Sequence, residues 1–91
     1  MRRAARVDQN HAELLAVFRK LGYSVLSLAR LGSGVPDALV ARDGKSALIE
    51  FKSAKGKLNR EQLDFACGWH GAIEVARTVD GVLSIHHRLM Q

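Results

Sequence analysis

Three residues in the middle of the sequence could do chemistry together: Asp37, directly after Pro36, and Glu50 and Lys52, two positions apart. The apolar run Ala47-Leu48-Ile49 leads into Glu50 and reads as a strand. Alternation along a strand sends Glu50 and Lys52 to one side and Ile49 and Phe51 to the other. Asp43-Gly44 is the two-residue signal of a hairpin with a primed turn. It folds residues 46–53 back along the short apolar run 38–41, and register counting sets Asp37 opposite Glu50 or its near neighbours. Two carboxylates meeting at one end of a hairpin repel each other unless a cation lies between them. Hard oxygen donors, with the backbone carbonyl of Phe51 as a further ligand, suit Mg²⁺ or Mn²⁺ completed by water and phosphate. Such an ion would acidify a water and neutralise a scissile phosphate, while Lys52 positions that water and offsets developing charge. That chemistry is phosphodiester hydrolysis. The plain alternative is a Glu50–Lys52 ion pair on an exposed strand, worth at most about 1 kcal/mol, with Asp37 a turn residue. The apolar run before Glu50 argues against it, because an unpartnered carboxylate on a covered strand is costly.

The elements that must position these residues follow from periodicity. Residues 1–7 read as a short basic arm (Arg2, Arg3, Arg6), and residues 8–91 as a single domain. Ala12, Leu15, Val17, Phe18 and Leu21 give residues 8–21 a helical stripe, with Asn10 and Glu13 at capping-box spacing and Gly22 closing it. Residues 23–31 read as a strand, broken by Gly32-Ser33-Gly34. Asn59 opens a second helix with Gln62 three residues on, and Leu63, Phe65, Ala66 and Trp69 form its apolar side up to Gly71. Residues 73–77 read as a fourth strand. Residues 78–89 fit a helix capped by Thr78, with Val79, Val82, Leu83, His86 and Leu89 inward, better than they fit a final strand after a Gly81 turn. The expected fold is a small α/β layer: a mixed β-sheet with a central hairpin, flanked by helices.

Composition narrows the function classes. The chain has 91 residues, 47% hydrophobic and 25% charged, which excludes a disordered tail. No apolar run is long enough for a membrane span, and no signal-peptide apolar region follows the basic start. Cys67 is alone, so neither a disulfide framework nor a cysteine-built zinc site is possible within the chain. Fourteen Lys and Arg against nine Asp and Glu give +5 and a pI near 10.0, a balance that favours a polyanionic partner such as nucleic acid.

Gly34-Val35-Pro36-Asp37, then Glu50-Phe51-Lys52, then Gln62 on the following helix resembles the PD-(D/E)xK nuclease superfamily. The Gly-x-Pro-Asp form and the compact order of elements resemble its virus-type replication–repair nuclease (VRR-NUC) domain, over about residues 10–89. The resemblance implies a restriction-endonuclease-like core and metal ligation by Asp37 and Glu50. It also implies a catalytic role for Lys52, an acid on the first helix for which Glu13 is the candidate, and a glutamine, Gln62, that orients the site. Glu13 and Gln62 are explained equally well as helix-capping partners of Asn10 and Asn59. The resemblance further implies a Mg²⁺- or Mn²⁺-dependent DNA endonuclease, acting as a homodimer on branched DNA such as four-way (Holliday) junctions. Its expected setting is the cytoplasm of a bacterial or phage-infected cell. Two other readings stand beside it: a non-catalytic basic DNA-binding module, and a nuclease subunit acting on plain duplex.

Lys55, Lys57 and Arg60 follow the Glu50–Lys52 strand and are placed to grip phosphates, or form a solvated charge run. Ser33 could donate to a phosphate or complete a turn. The histidines His11, His70, His86 and His87 lack the helix spacing of a zinc motif. Trp69 and Cys67 read as packing residues.

Overall fold

From residue 2 to residue 91, the stretch that the computed structural model describes (side-chain surroundings from Asn10 onward), three helices flank a four-stranded mixed sheet. The order is α1 (Arg2–Lys20), β1 (Ser24–Ser27), β2 (Ala38–Arg42), β3 (Lys45–Phe51), α2 (Arg60–Gly68), β4 (Ile73–Ala76) and α3 (Val79–Leu89). The small α/β architecture with a central hairpin matches the sequence pattern, and the segment after β4 is helix, Val79–Leu89, rather than strand. Thr78 caps α3, its hydroxyl accepting from the Gly81 N–H at 3.0 Å. Among the described residues no helix is long and apolar enough to cross a membrane.

The first helix departs from expectation. Its backbone starts at Arg2, so the segment read as a basic arm is helical; the side chains of Arg2, Arg3 and Arg6 lie outside the described residues. Ala and Arg are strong helix formers, and no Gly or Pro interrupts them before Gly22. Asn10 and Glu13 therefore sit inside the helix, and the capping box expected of them is not at a helix start. The far end closes as anticipated, with the Gly22 N–H bonding the Arg19 carbonyl and the Tyr23 N–H that of Phe18.

Strands β1, β2 and β3 form an antiparallel meander, and β4 adds parallel to β3 after the α2 crossover. Asp43 and Gly44 both take positive φ, 54° and 78°, as the primed turn joining β2 to β3 requires. Strand β1 is shorter than its sequence pattern because β2 begins only at Ala38, which pairs with Ser27. Beyond Ser27 the ladder continues only as the Leu28 N–H bond to the Asp37 carbonyl, and the chain then turns through Leu28–Gly34.

The main core lies on one face of the sheet. Ala38, Val40, Ala47, Ile49, Phe51 and Ala76 point there and pack against Leu14 and Phe18 of α1 and Val82 and Ile85 of α3. The inward side of α3 is narrower than expected, since Val79 and Leu83 are exposed and His86 is half-buried, its Nδ1 2.9 Å from the Tyr23 hydroxyl. The opposite face presents Leu48, Glu50, Lys52, Ile73 and Val75 by strand alternation. Here α2 lies over β3 and β4 without burying any of its own residues fully. Leu63 and Trp69 are exposed, Trp69 stacked on Phe65, and Cys67 is exposed rather than packed.

Candidate active site

The pairing of Ala38 with Ile49 in the β2–β3 ladder carries Asp37 opposite Glu50, one residue beyond the strand. Asp37 takes the place of a further ladder residue. Its Oδ2 accepts the Phe51 N–H at 2.8 Å, while its own carbonyl accepts the Leu28 N–H, also at 2.8 Å. The carboxylate is thus anchored by backbone on one side, and its residue by backbone on the other. The N–H and carbonyl of a strand residue leave on the same side, so the Phe51 carbonyl also faces the Asp37 edge.

Glu50 sits on the second face, 5% exposed. Its Oε2 accepts from the Gln62 side-chain amide at 3.0 Å and lies 3.9 Å from Nζ of Lys52. A cavity of about 230 Å³ opens beside it between α2 and the sheet, walled by apolar groups such as Pro36, Leu58, Ile73 and Val75. Burial pushes the Glu50 carboxyl up to about 7, and the neighbouring Asp37 carboxyl adds to the rise by repulsion and hydrogen bonding, against a lowering by Lys52. The ammonium alone does not compensate the two acids.

Gln62 makes both a capping contact and a contact to Glu50. Its Oε1 accepts the Asn59 N–H at 2.9 Å while the Asn59 side chain accepts the Gln62 N–H at 2.9 Å, closing the capping box. Its Nε2 is left free to reach Glu50. The placement depends on Gly34, whose φ is +81° and whose backbone abuts the carbonyl of Glu61 so closely that a Cβ would have no room. The Gly-x-Pro-Asp turn therefore seats the first turn of α2 and the start of β2 at once, fixing Gln62 and Asp37 relative to Glu50.

Asp37, Glu50, Lys52 and Gln62 are thus gathered at one end of the β2–β3 hairpin. Other candidates are not. Glu13 is exposed, and among the described residues no three His, Cys, Asp or Glu side chains converge as a metal-binding set. Glu13 does not join the pair. On α1 the His11 ring packs on Phe51 at 5.3 Å between centroids, on the core face of the sheet and not on the Glu50 face. Its spacing from Leu14 and Phe18 could have shown it as part of the inward stripe. Ser33 is exposed in a left-handed turn, φ 55°. Lys55 and Lys57 are exposed beyond β3, while Arg60 is drawn to Asp64 one helical turn on, at 3.3 Å.

The donor set can be judged on its chemistry. Two carboxylates and a backbone carbonyl, one carboxyl buried and resisting ionisation beside the other, fit a hard divalent cation that keeps several waters. They include none of the His or Cys donors that protein zinc sites ordinarily combine with carboxylates. No protein-family model matches the chain, and a search of curated proteins finds no relative.

Proposed function

We propose that this protein is a Mg²⁺- or Mn²⁺-dependent endonuclease that hydrolyses phosphodiester bonds in DNA, built on a restriction-endonuclease-like core. The observation that carries the proposal is the placing of Asp37 across the β2–β3 register from Glu50, with Lys52 on the Glu50 side of the strand. Asp37, Glu50 and the Phe51 carbonyl would hold the ion. When bound, it would supply positive charge to the scissile phosphate and acidify an attacking water.

The side chains divide the remaining work. The Asp37 anchor on the Phe51 N–H fixes one carboxylate so that its geometry need not reorganise during reaction. Gln62 donates to Glu50 and selects its rotamer, leaving the carboxylate's other oxygen for the ion. Lys52, held 3.9 Å from Glu50, orients the attacking water and offsets negative charge on the phosphoryl oxygens as the new O–P bond forms and the leaving P–O bond breaks. Exposed Lys55 and Lys57 continue from this strand and would track the phosphate backbone beside the cut.

The preference for branched DNA such as four-way junctions, and action as a homodimer, rest on the family resemblance. A two-fold pair of sites suits symmetric incision of two strands. A panel of labelled duplex, nicked, flap and four-way-junction DNAs incubated with Mg²⁺ or Mn²⁺ tests the proposal. Cleavage of the junction ahead of the others is expected. Cleavage of plain duplex alone would transfer the protein to the duplex-nuclease reading. DNA binding without cleavage in either metal would make it a non-catalytic binding module.

A further inference from the structure

One cation the sequence did not single out holds the segment that leaves the candidate active site. Arg77, one residue past β4, donates from Nη1 to the carbonyl of Ser53 at 2.7 Å and to that of Gly56. The Gly56 N–H bonds back to the Ser53 carbonyl at 3.2 Å, so the guanidinium closes a tight turn over residues 53–56. This turn runs along the stem of Lys52: a methyl group placed on Gly56 would lie 3.5 Å from Cδ of that lysine. The backbone of Lys52 is tied to the same strand end, its N–H donating to the Ala76 carbonyl at 3.0 Å. Backbone and stem of the lysine are therefore both held from the end of β4.

We infer that Arg77 is a positioning residue for Lys52: by bridging the Ser53 and Gly56 carbonyls it presses the 53–56 turn against the lysine stem and holds the ammonium beside Glu50. The inference rests on the nuclease reading for its catalytic consequence, though not for its structural one. A lysine side chain carries about 2 kcal/mol of rotamer entropy, and its stem needs a wall to hold one geometry. Arg77 supplies that wall through the turn without touching the reacting groups. Its charge is spent on two carbonyls, which sets it apart from Lys55 and Lys57, whose ammonium groups face solvent.

The test compares wild type, Arg77→Ala and Arg77→Lys, the last keeping a cation able to donate to both carbonyls. Lysines are tagged by reductive methylation with ¹³C-formaldehyde, and the Lys52 signal is assigned with Lys52→Ala. In wild type the Lys52 methyl resonance should stand apart from those of exposed lysines. In Arg77→Ala it should move in among them and sharpen, and DNA cleavage should fall about 10- to 100-fold in kcat with KM within about twofold. Arg77→Lys should restore both. An unchanged Lys52 resonance in folded Arg77→Ala overturns the inference, as does a loss confined to KM, which would mark Arg77 as a phosphate contact. Should Arg77→Ala fail to fold, Arg77→Met, which keeps an unbranched stem and removes the Nη1 donor, carries the same comparison. Absence of cleavage in wild type would defeat the nuclease reading, while the resonance would still decide the role of Arg77.

Discussion

Replacing Glu50 by glutamine should stabilise the metal-free protein at alkaline pH while abolishing its activity. The Glu50 carboxyl titrates near 7 against an ordinary value of 4.5, chiefly because it is buried and secondly because Asp37 is beside it. Between those two values the folded protein keeps a proton that the unfolded chain has released, so stability falls as pH rises through that window. Two and a half pH units at about 1.4 kcal/mol each gives about 3 kcal/mol as the ceiling of the loss by pH 8. The Lys52 attraction is already contained in that shift, and relaxation and water penetration around the ionised carboxylate keep the loss below the ceiling, leaving about 2 kcal/mol for Glu50→Gln. In a chain of this length that is about 10 °C in Tm. The amide can still accept from Gln62, so the capping box and the seat of α2 are retained. Thermal melts at pH 5 and pH 8 in the presence of a chelator read the effect directly. The variant should melt close to wild type at pH 5 and about 10 °C above it at pH 8. Adding Mn²⁺ at pH 8 should raise the wild-type Tm and leave that of the variant unmoved. An equal difference at both pH values, or a variant less stable than wild type at pH 8, would refute the argument that an under-compensated carboxylate sits at this position.

Lys52→Ala should fold and bind DNA with near-wild-type affinity yet cut at least about 100-fold more slowly in a single-turnover assay; undiminished cutting would remove Lys52 from the mechanism. Gly34→Ala sets a Cβ against the Glu61 carbonyl at a residue with φ +81°, and should cost about 2 kcal/mol or more in a denaturant titration. That variant should also lose cleavage, because the turn seats α2 and its Gln62. Gln62→Ala breaks half of the capping box and the Glu50 contact together, and should lower stability by about 1–2 kcal/mol in the same titration. Lys55→Ala and Lys57→Ala should each reduce the dependence of DNA affinity on log salt by about one ion, whereas Arg60→Ala, whose guanidinium is drawn to Asp64, should change it less.

The hairpin was legible in the sequence because its information is local. Asp43-Gly44 names the turn type, alternation around Glu50 gives the faces, and together they place Asp37 across from Glu50. Gln62 was legible for the same reason, three residues after the cap Asn59. What escaped depends on contacts between distant parts of the chain. Nothing around residues 29–31 says that β1 must end at Ser27; that follows from where β2 begins. The spacing of Asn10 and Glu13 suggested a helix start, but a cap signal acts only where the preceding residues are non-helical, and the arm before it is rich in Ala and Arg. The apolar residues of α2 suggested a buried side, yet Leu63 and Trp69 are exposed because a short helix over half a sheet covers only what lies directly beneath it. Arg77 carries no periodic signal at all, since its partners are backbone carbonyls more than twenty positions earlier.

Manganese titration followed by electron paramagnetic resonance tests most directly whether residues 37 and 50 share an ion. Wild type should take up one Mn²⁺ per chain, more tightly at pH 8 than at pH 6 as the Glu50 proton leaves, and Asp37→Asn and Glu50→Gln should each abolish that uptake while preserving the fold. Equal uptake by wild type and both variants, or none by wild type at either pH, would contradict the account.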